Sequence, residues 1–177
     1  MIPQIRGLDT ETGEPKYARL ELERRWLVDQ AARPSLADAW TTLIEDRYID
    51  GTRMRLRRMS RADLGEVKWK LTKKYECSDP AARPIVTSYL TEAEYDLLAT
   101  LPAHPLRKVR YHLLLDGLWW SLDLFEGALA GLEVVETEAA HEAALAALVP
   151  PVWAAKEVTR DPRYQCGSLV QTNQIPE

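Results

Sequence analysis

The stretch YARLELERRWLV, residues 17–28, decides the reading of the fold. It alternates with the two-residue period of a β-strand. Arg19, Glu21, Glu23 and Arg25 fall on one face, and Leu20, Leu22, Trp26 and Val28 on the other. Arg24 alone interrupts the apolar side. Two carboxylates and a guanidinium on one strand face suit a divalent metal held beside an anion. Hard cations take oxygen ligands, and guanidinium forks match phosphate oxygens.

The same alternation recurs along the chain with other charges. Residues 52–59, TRMRLRRM, set Arg53, Arg55 and Arg57 against Met54 and Leu56, after a hairpin signal at Asp50–Gly51. Residues 66–75, EVKWKLTKKY, set Glu66, Lys68, Lys70 and Thr72 against Val67, Trp69 and Leu71. Residues 82–90, ARPIVTSYL, read as a further strand. In LRKVRYHLLL, Lys108, Arg110 and His112 share a face. A second Asp-Gly at 116–117 turns the chain into LWWSLDLFEG, with Ser121 and Asp123 together. In GLEVVETE, Glu136 and Glu138 oppose Val135.

Helices fill the gaps. The first half of RPSLADAWTTLIEDRYI reads as helical with Ser35 as N-cap, turning extended near Ile44–Ile49. TEAEYDLLATL has a cap at Thr91 and acids in its first turn, and Pro102 and Pro105 stop it. AAHEAALAAL is a helix ended by Pro150–Pro151, and the tail from Val152 is mixed, closing in a short helix. About eight extended segments with hairpin-length connections predict a largely antiparallel α+β protein.

The charges are sorted by strand. The first and last strands carry acids and the middle ones bases. Taken singly, each face reads as the wet side of an antiparallel sheet. Taken together they do not, because a row of arginines on one face repels itself unless something anionic lies opposite. Closing the sheet into a barrel turns the charged faces inward around a lumen for one small ligand. Basic strands would grip phosphate oxygens, and carboxylates would hold Mg²⁺ or Mn²⁺.

These ordered motifs resemble the CYTH, or triphosphate tunnel metalloenzyme, superfamily. That group includes inorganic triphosphatases, thiamine triphosphatases and class IV adenylate cyclases. Glu21-Leu22-Glu23-Arg24-Arg25 stands where the family carries ExExK. RMRLRR, VKWKL, RKVRYHL, WSLDLFEG and LEVVETE follow in the family's order, and PPVWAAKEVTRDPRY is similar to the ending of small bacterial members. The resemblance runs from about Tyr17 to Val170. It implies an eight-stranded antiparallel β-barrel tunnel with flanking helices over residues 17–177, while residues 1–16, polar with Gly and Pro, read from composition as a flexible segment. It implies Glu21, Glu23, Asp123, Glu136 and Glu138 as metal ligands for Mg²⁺ or Mn²⁺. It implies Arg53, Arg55, Lys70, Lys108 and Arg110 as substrate-binding residues, with Lys68 and Arg57 facing the same way. Glu21, Glu23 and Arg25 stand as the catalytic group. Arg163 and Tyr164 match a tail motif without an assigned role.

The expected activity is metal-dependent hydrolysis of a triphosphate, inorganic triphosphate first, then a nucleoside or thiamine triphosphate. The alternatives are a polyphosphate- or nucleotide-binding module without turnover, and adenylate cyclase. One departure separates them: Arg25 replaces the motif lysine, and an arginine cannot serve as a base.

The remaining composition narrows partners. A net charge of −4 over 177 residues supplies no basic field for nucleic acid. No apolar run approaches the ~18 residues of a membrane span, and residues 1–16 hold no signal-peptide core, so a cytoplasmic protein is expected. Cys77 and Cys166 lack any metal spacing and read as free thiols. His104, His112 and His141 are too scattered for zinc. Trp119, Trp120 and Trp153 read first as packing and second as a platform for a ring. A homodimer through an apolar outer face is allowed.

Overall fold

The computed structural model describes residues 16–177, so the expected flexible segment at 1–16 lies almost wholly outside the described residues. The strands are β1 (Arg19–Val28), β2 (Thr41–Ile49), β3 (Met54–Arg61), β4 (Glu66–Lys74) and β5 (Ala82–Leu90). Helix α1 (Glu92–Leu98) precedes β6 (Ala103–Leu115), β7 (Leu118–Phe125) and β8 (Glu133–Glu138). Helix α2 (Glu142–Ala147), β9 (Ala154–Glu157) and helix α3 (Cys166–Thr172) complete the order.

Every pairing is antiparallel, in the order β5-β4-β3-β2-β6-β7-β8-β1-β9. A further pairing of β1 with β5, Glu21 opposite Arg83, closes the first eight strands into a barrel. Closure joins the two ends of the sheet through Arg19–Leu22 of β1 and Ala82–Ile85 of β5. β5 covers only the first half of one edge of β1, and β9 takes the second half at Trp26–Val28. The Asp116–Gly117 turn has both residues at positive φ, 49° and 78°, which matches the twist of a two-residue hairpin.

Two expected elements differ. Residues 30–40 form turns, not a helix: the Ser35 hydroxyl accepts from Ala37 N at 3.3 Å, a local bond that competes with helix formation. The apolar spacing that looked helical serves packing instead, since Leu36 and Ala39 lie against the outer wall of the barrel. Pro105 does not stop α1; it lies inside β6. The Arg107 carbonyl accepts from Glu126 N on the β7 side, and Pro105 presents its missing N–H to that same side, beyond the ladder that begins at Lys108 and Phe125. No bond is lost there. Helix α1 begins where expected, with Thr91 and Glu94 forming a reciprocal capping box.

Outer apolar faces are covered piecemeal. Trp26, Trp120, Leu122 and Val135 pack with Trp153 over one side, and Leu22 packs with Ala81 and Leu145 of α2 on another. Each such large side chain contributes about 1.5–3 kcal/mol on burial. Trp120 and Trp153 are thus packing residues, 2% and 5% exposed.

The inner face changes character along the barrel. Leu27, Tyr48, Leu106, Phe125 and Val134 share the parity of the charged positions, yet they sit at one end of their strands and are apolar. They pack against Tyr164, Leu169 and Val170 of the C-terminal segment. The C-terminal helix therefore fills part of one barrel mouth. Among the described residues no helix is long and apolar enough to cross a membrane.

Candidate functional site

A cavity of about 350 Å³ runs into the barrel beside α3. β1 lines it with Glu21, Glu23 and Arg25, and β8 with Glu136 and Glu138. β3 contributes Arg53, Arg55 and Arg57, and β6 contributes Lys108 and Arg110. Alternation explains this set: every one of these residues holds the inward parity of its strand. A second cavity of about 390 Å³, bordered by Trp119 and Ser121, shares Arg110, Glu136 and Glu138 with the first.

The five expected carboxylate ligands divide into two groups. Glu21, Glu23 and Glu138 converge, with one oxygen from each within 4.8 Å of the others. The register places Glu23 directly opposite Glu138 on β8. This donor set fits a hard divalent cation such as Mg²⁺ or Mn²⁺. Burial, then repulsion from Glu23 and Glu21, raises the pKa of Glu138, a strain that a cation would relieve. Asp123 and Glu136 stand apart from this cluster, engaged by cations. Arg110 grips Asp123 with two bonds of 2.7 Å and also reaches Glu136, while Lys108 pairs with Asp123. Burial opposes the charge on Glu136, but Arg110 and Lys108 outweigh it and lower its pKa.

Two cluster members carry a cation of their own. Lys74 Nζ lies 2.5 Å from Glu21. Burial alone would raise Glu21, yet Lys74 and Arg55 outweigh it, so its pKa is lowered. Arg25 bonds Glu23, lies 3.8 Å from Glu136 and donates to the Tyr164 carbonyl at 3.4 Å. Burial works against its charge, but Glu23 and Glu136 prevail and hold the guanidinium protonated. Arg25 is therefore a fixed cation and no base.

The basic wall is built around a residue that strand alternation left unnoticed. Asp46, 1% exposed on β2, receives Arg57 through bonds of 2.6 and 2.7 Å and lies 3.6 Å from Arg55. Burial would push its carboxyl up; Arg57 and Arg55 instead hold it down at about 2. Arg57 is consequently spoken for. Arg55 is not: its buried Nε has no acceptor among the described residues, although the side chain borders the cavity. A buried guanidinium donor without an acceptor beside a cavity calls for an anion. Arg53 pairs with Glu76 near the cavity mouth.

Lys68 and Lys70 do not join the site. They have inward parity but lie toward the opposite end of β4, where Lys68 sits 3.4 Å from Glu66 and Lys70 lies over the Tyr89 ring. Lys74, of the same parity and further along the strand, takes the place expected of them. Tyr48, Arg83 and the start of α3, Gln165 to Ser168, also border the cavity. Arg163 pairs with Asp161 at 2.7 Å, and Tyr164 is buried. The histidines are separate: His104 faces Asp50, His141 caps α2, and His112 stacks on Trp40.

No family model matches the chain. Two curated relatives do, both named inorganic triphosphatase. One, from Nitrosomonas europaea, is 44% identical over 63 residues, 35% of this chain and 42% of that protein. The other, from Acetivibrio thermocellus, is 38% identical over 66 residues, 37% of this chain and 41% of that protein. The matched region thus spans less than half the length of either relative. Among solved structures, the inorganic triphosphatase NE1496 is similar over 89% of this chain and all of its own, at 28% identity and a TM-score of 0.58. The PH1819 protein from Pyrococcus horikoshii shares the fold at 19% identity and a TM-score of 0.53, over 69% of this chain and 78% of its own. With the closed barrel and its charged inner strands, these likenesses show a fold shared with the inorganic triphosphatase NE1496.

Proposed function

We propose that this chain hydrolyses the terminal phosphoanhydride of a triphosphate, with inorganic triphosphate as the leading substrate and Mg²⁺ or Mn²⁺ as cofactor. The observation that carries the reading is one cavity with two chemically opposed walls. Three convergent carboxylates, Glu21, Glu23 and Glu138, stand on one side, and Arg55, Lys108 and Arg110 border the same space. The substrate preference is supported by the curated relatives and the similar solved structure, each named inorganic triphosphatase.

Glu21, Glu23 and Glu138 would hold the cation. When bound, it neutralises charge on phosphate oxygens and lowers the pKa of coordinated water. Arg55 supplies an uncommitted donor to the phosphate chain, and Arg110 moves from Glu136 toward it. Arg25 stabilises charge that builds on the leaving phosphate oxygens, since it cannot take a proton. A water oxygen bonds the terminal phosphorus as the bridging P–O bond breaks, giving orthophosphate and diphosphate. The water's protons end on the products and solvent.

The test is phosphate release from inorganic triphosphate, ATP and thiamine triphosphate, each with Mg²⁺, Mn²⁺ or EDTA. Metal-dependent release from inorganic triphosphate, abolished by Glu21→Ala and Glu23→Ala, is the expected result. Unchanged turnover in both variants sinks the metal assignment. The commitment of Arg25 to Glu23 favours a second reading, binding without turnover. Tight triphosphate binding with no release, and hydrolysis restored by Arg25→Lys, would select it.

A further inference from the structure

The acid cluster is already partly occupied by the protein's own cations. Of its three carboxylates, Glu23 is held by Arg25 and Glu21 by Lys74, and both of these cations border the cavity where an anion would lie. Glu138 has no ion-pair partner among the described residues and stands directly opposite Glu23 across the β1–β8 pairing. A divalent cation arriving alone meets three carboxylates of which two are neutralised, and must displace a buried guanidinium with no other full partner. Glu136, the alternative for Arg25, is 3.8 Å away and already bonded by Arg110.

A polyphosphate changes this balance. It brings several negative charges and offers a guanidinium fork its own bidentate acceptor. Drawing Arg25 off Glu23 returns that carboxylate to the cluster. We infer that cation and polyphosphate bind this cavity as a thermodynamically coupled pair, with Arg25 the positioning residue that couples them through Glu23. The inference rests on the metal-site reading above. Coupling of this kind is reciprocal: the anion tightens the cation by the factor by which the cation tightens the anion. Lysine at this position would couple more weakly, because a compact ammonium lacks the planar fork that spans two acceptors.

The experiment titrates Mn²⁺ against the protein and reads free Mn²⁺ by its aqueous electron paramagnetic resonance signal. The proteins are wild type, R25Q, R25K and R53Q; Arg53 borders the same cavity but pairs with Glu76, outside the cluster. Circular dichroism confirms folding, and R25K, which keeps the buried charge, serves if R25Q does not fold. With Mn²⁺ alone, R25Q binds at least tenfold more tightly than wild type, R25K falls between, and R53Q stays within threefold of wild type. Adding a hydrolysis-resistant methylene-bridged triphosphate narrows the gap between wild type and R25Q to within threefold. Chelation by the analogue in solution is common to all four proteins, so it cancels in the comparison. The inference is overturned if neither Arg25 variant binds Mn²⁺ more tightly than wild type, if R53Q matches R25Q, or if the analogue leaves the gap open. Phosphate release plays no part in the readout. An inert protein that shows the coupling defeats the hydrolase reading alone, and an active one without it defeats this inference alone.

Discussion

Replacing Asp46 with asparagine removes one negative charge without changing shape. Asp46 is the sole carboxylate bonded to Arg57 among the described residues, and it faces Arg55 as well. Breaking a buried ion pair on one side costs about 3–5 kcal/mol, because the other charge stays buried without its partner. Arg57 borders the cavity and water can reach it, so the low end applies, about 3 kcal/mol. At about 2–4 °C per kcal/mol for a domain of this size, Asp46→Asn should lower Tm by roughly 6–12 °C. The pH dependence gives a second signature. The Asp46 carboxyl is held down at about 2, below its ordinary 3.8. Its stabilisation is complete above the ordinary value and is lost as pH falls from about 4 to 2; the variant should lack that portion of the slope. A third signature is the response to anions, since triphosphate supplies the negative charge that the substituted amide no longer does. Calorimetry at constant ionic strength, with and without triphosphate, should show a larger rise in Tm for the variant than for wild type. A variant melting within 1–2 °C of wild type, or gaining no more from triphosphate, would refute the view that Asp46 organises the basic wall. The double variant Asp46→Asn, Arg57→Met isolates the pair, and should recover part of the loss because no charge is left behind.

His112 makes a separate prediction. Burial, then Arg110, lowers its pKa to about 4 from 6.5. A lowered histidine is held neutral in the fold, so stability is full above 6.5 and falls as pH drops toward 4. The side chain is only partly buried, so after allowance for solvent screening the loss is about 1–2 kcal/mol; His112→Gln should flatten the Tm profile across that window. Depth along β4 decides the third. Lys74→Ala should raise KM for triphosphate severalfold, while Lys68→Ala and Lys70→Ala should leave it within about twofold, as steady-state kinetics on all three would show.

Alternation made the inner face of β1 legible before any coordinates, because its acids and bases alternate with Leu20, Leu22 and Trp26 on the other side, where Arg24 is the one exception. Parity fixes which way a side chain points and not how far along the barrel it lies. That is why Lys68 and Lys70 read as equals of Lys74, and why only the pairing register, Lys70 opposite Tyr89 and Lys74 opposite Ile85, separates them. Asp46 escaped for a different reason. Its inward neighbours on β2 are Ile44 and Tyr48, so the strand reads as an apolar face with one acid in it. That lone acid was the available signal, since an unpaired carboxylate among apolar positions must have a cation opposite. The apolar end of the barrel was written in the same way, as Arg25 gives place to Leu27 and Asp123 to Phe125. The false helix at residues 30–40 arose from spacing alone. Ser35 and Leu36 satisfy a helical pattern, but the pull of the outer tryptophans on Leu36 and Ala39 is a tertiary effect that no local window contains.

The seam of the barrel carries a consequence for how the molecule comes into being. Glu23 meets Glu138 across β1 and β8, and Trp26 meets Glu157 across β1 and β9. β1 leaves the ribosome before β8 and must therefore wait, unpaired along that edge, for partners more than a hundred residues later in the chain. Contacts of such separation form late, because the loop they close must first lose its entropy. The cluster of Glu21, Glu23 and Glu138 takes two carboxylates from the early strand and one from the late strand, so it exists only once the seam has shut. Incomplete chains cannot assemble it, and a cation that binds there acts as a clasp on the finished barrel. The shutting of the seam and the first appearance of the carboxylate cluster are thus the same event.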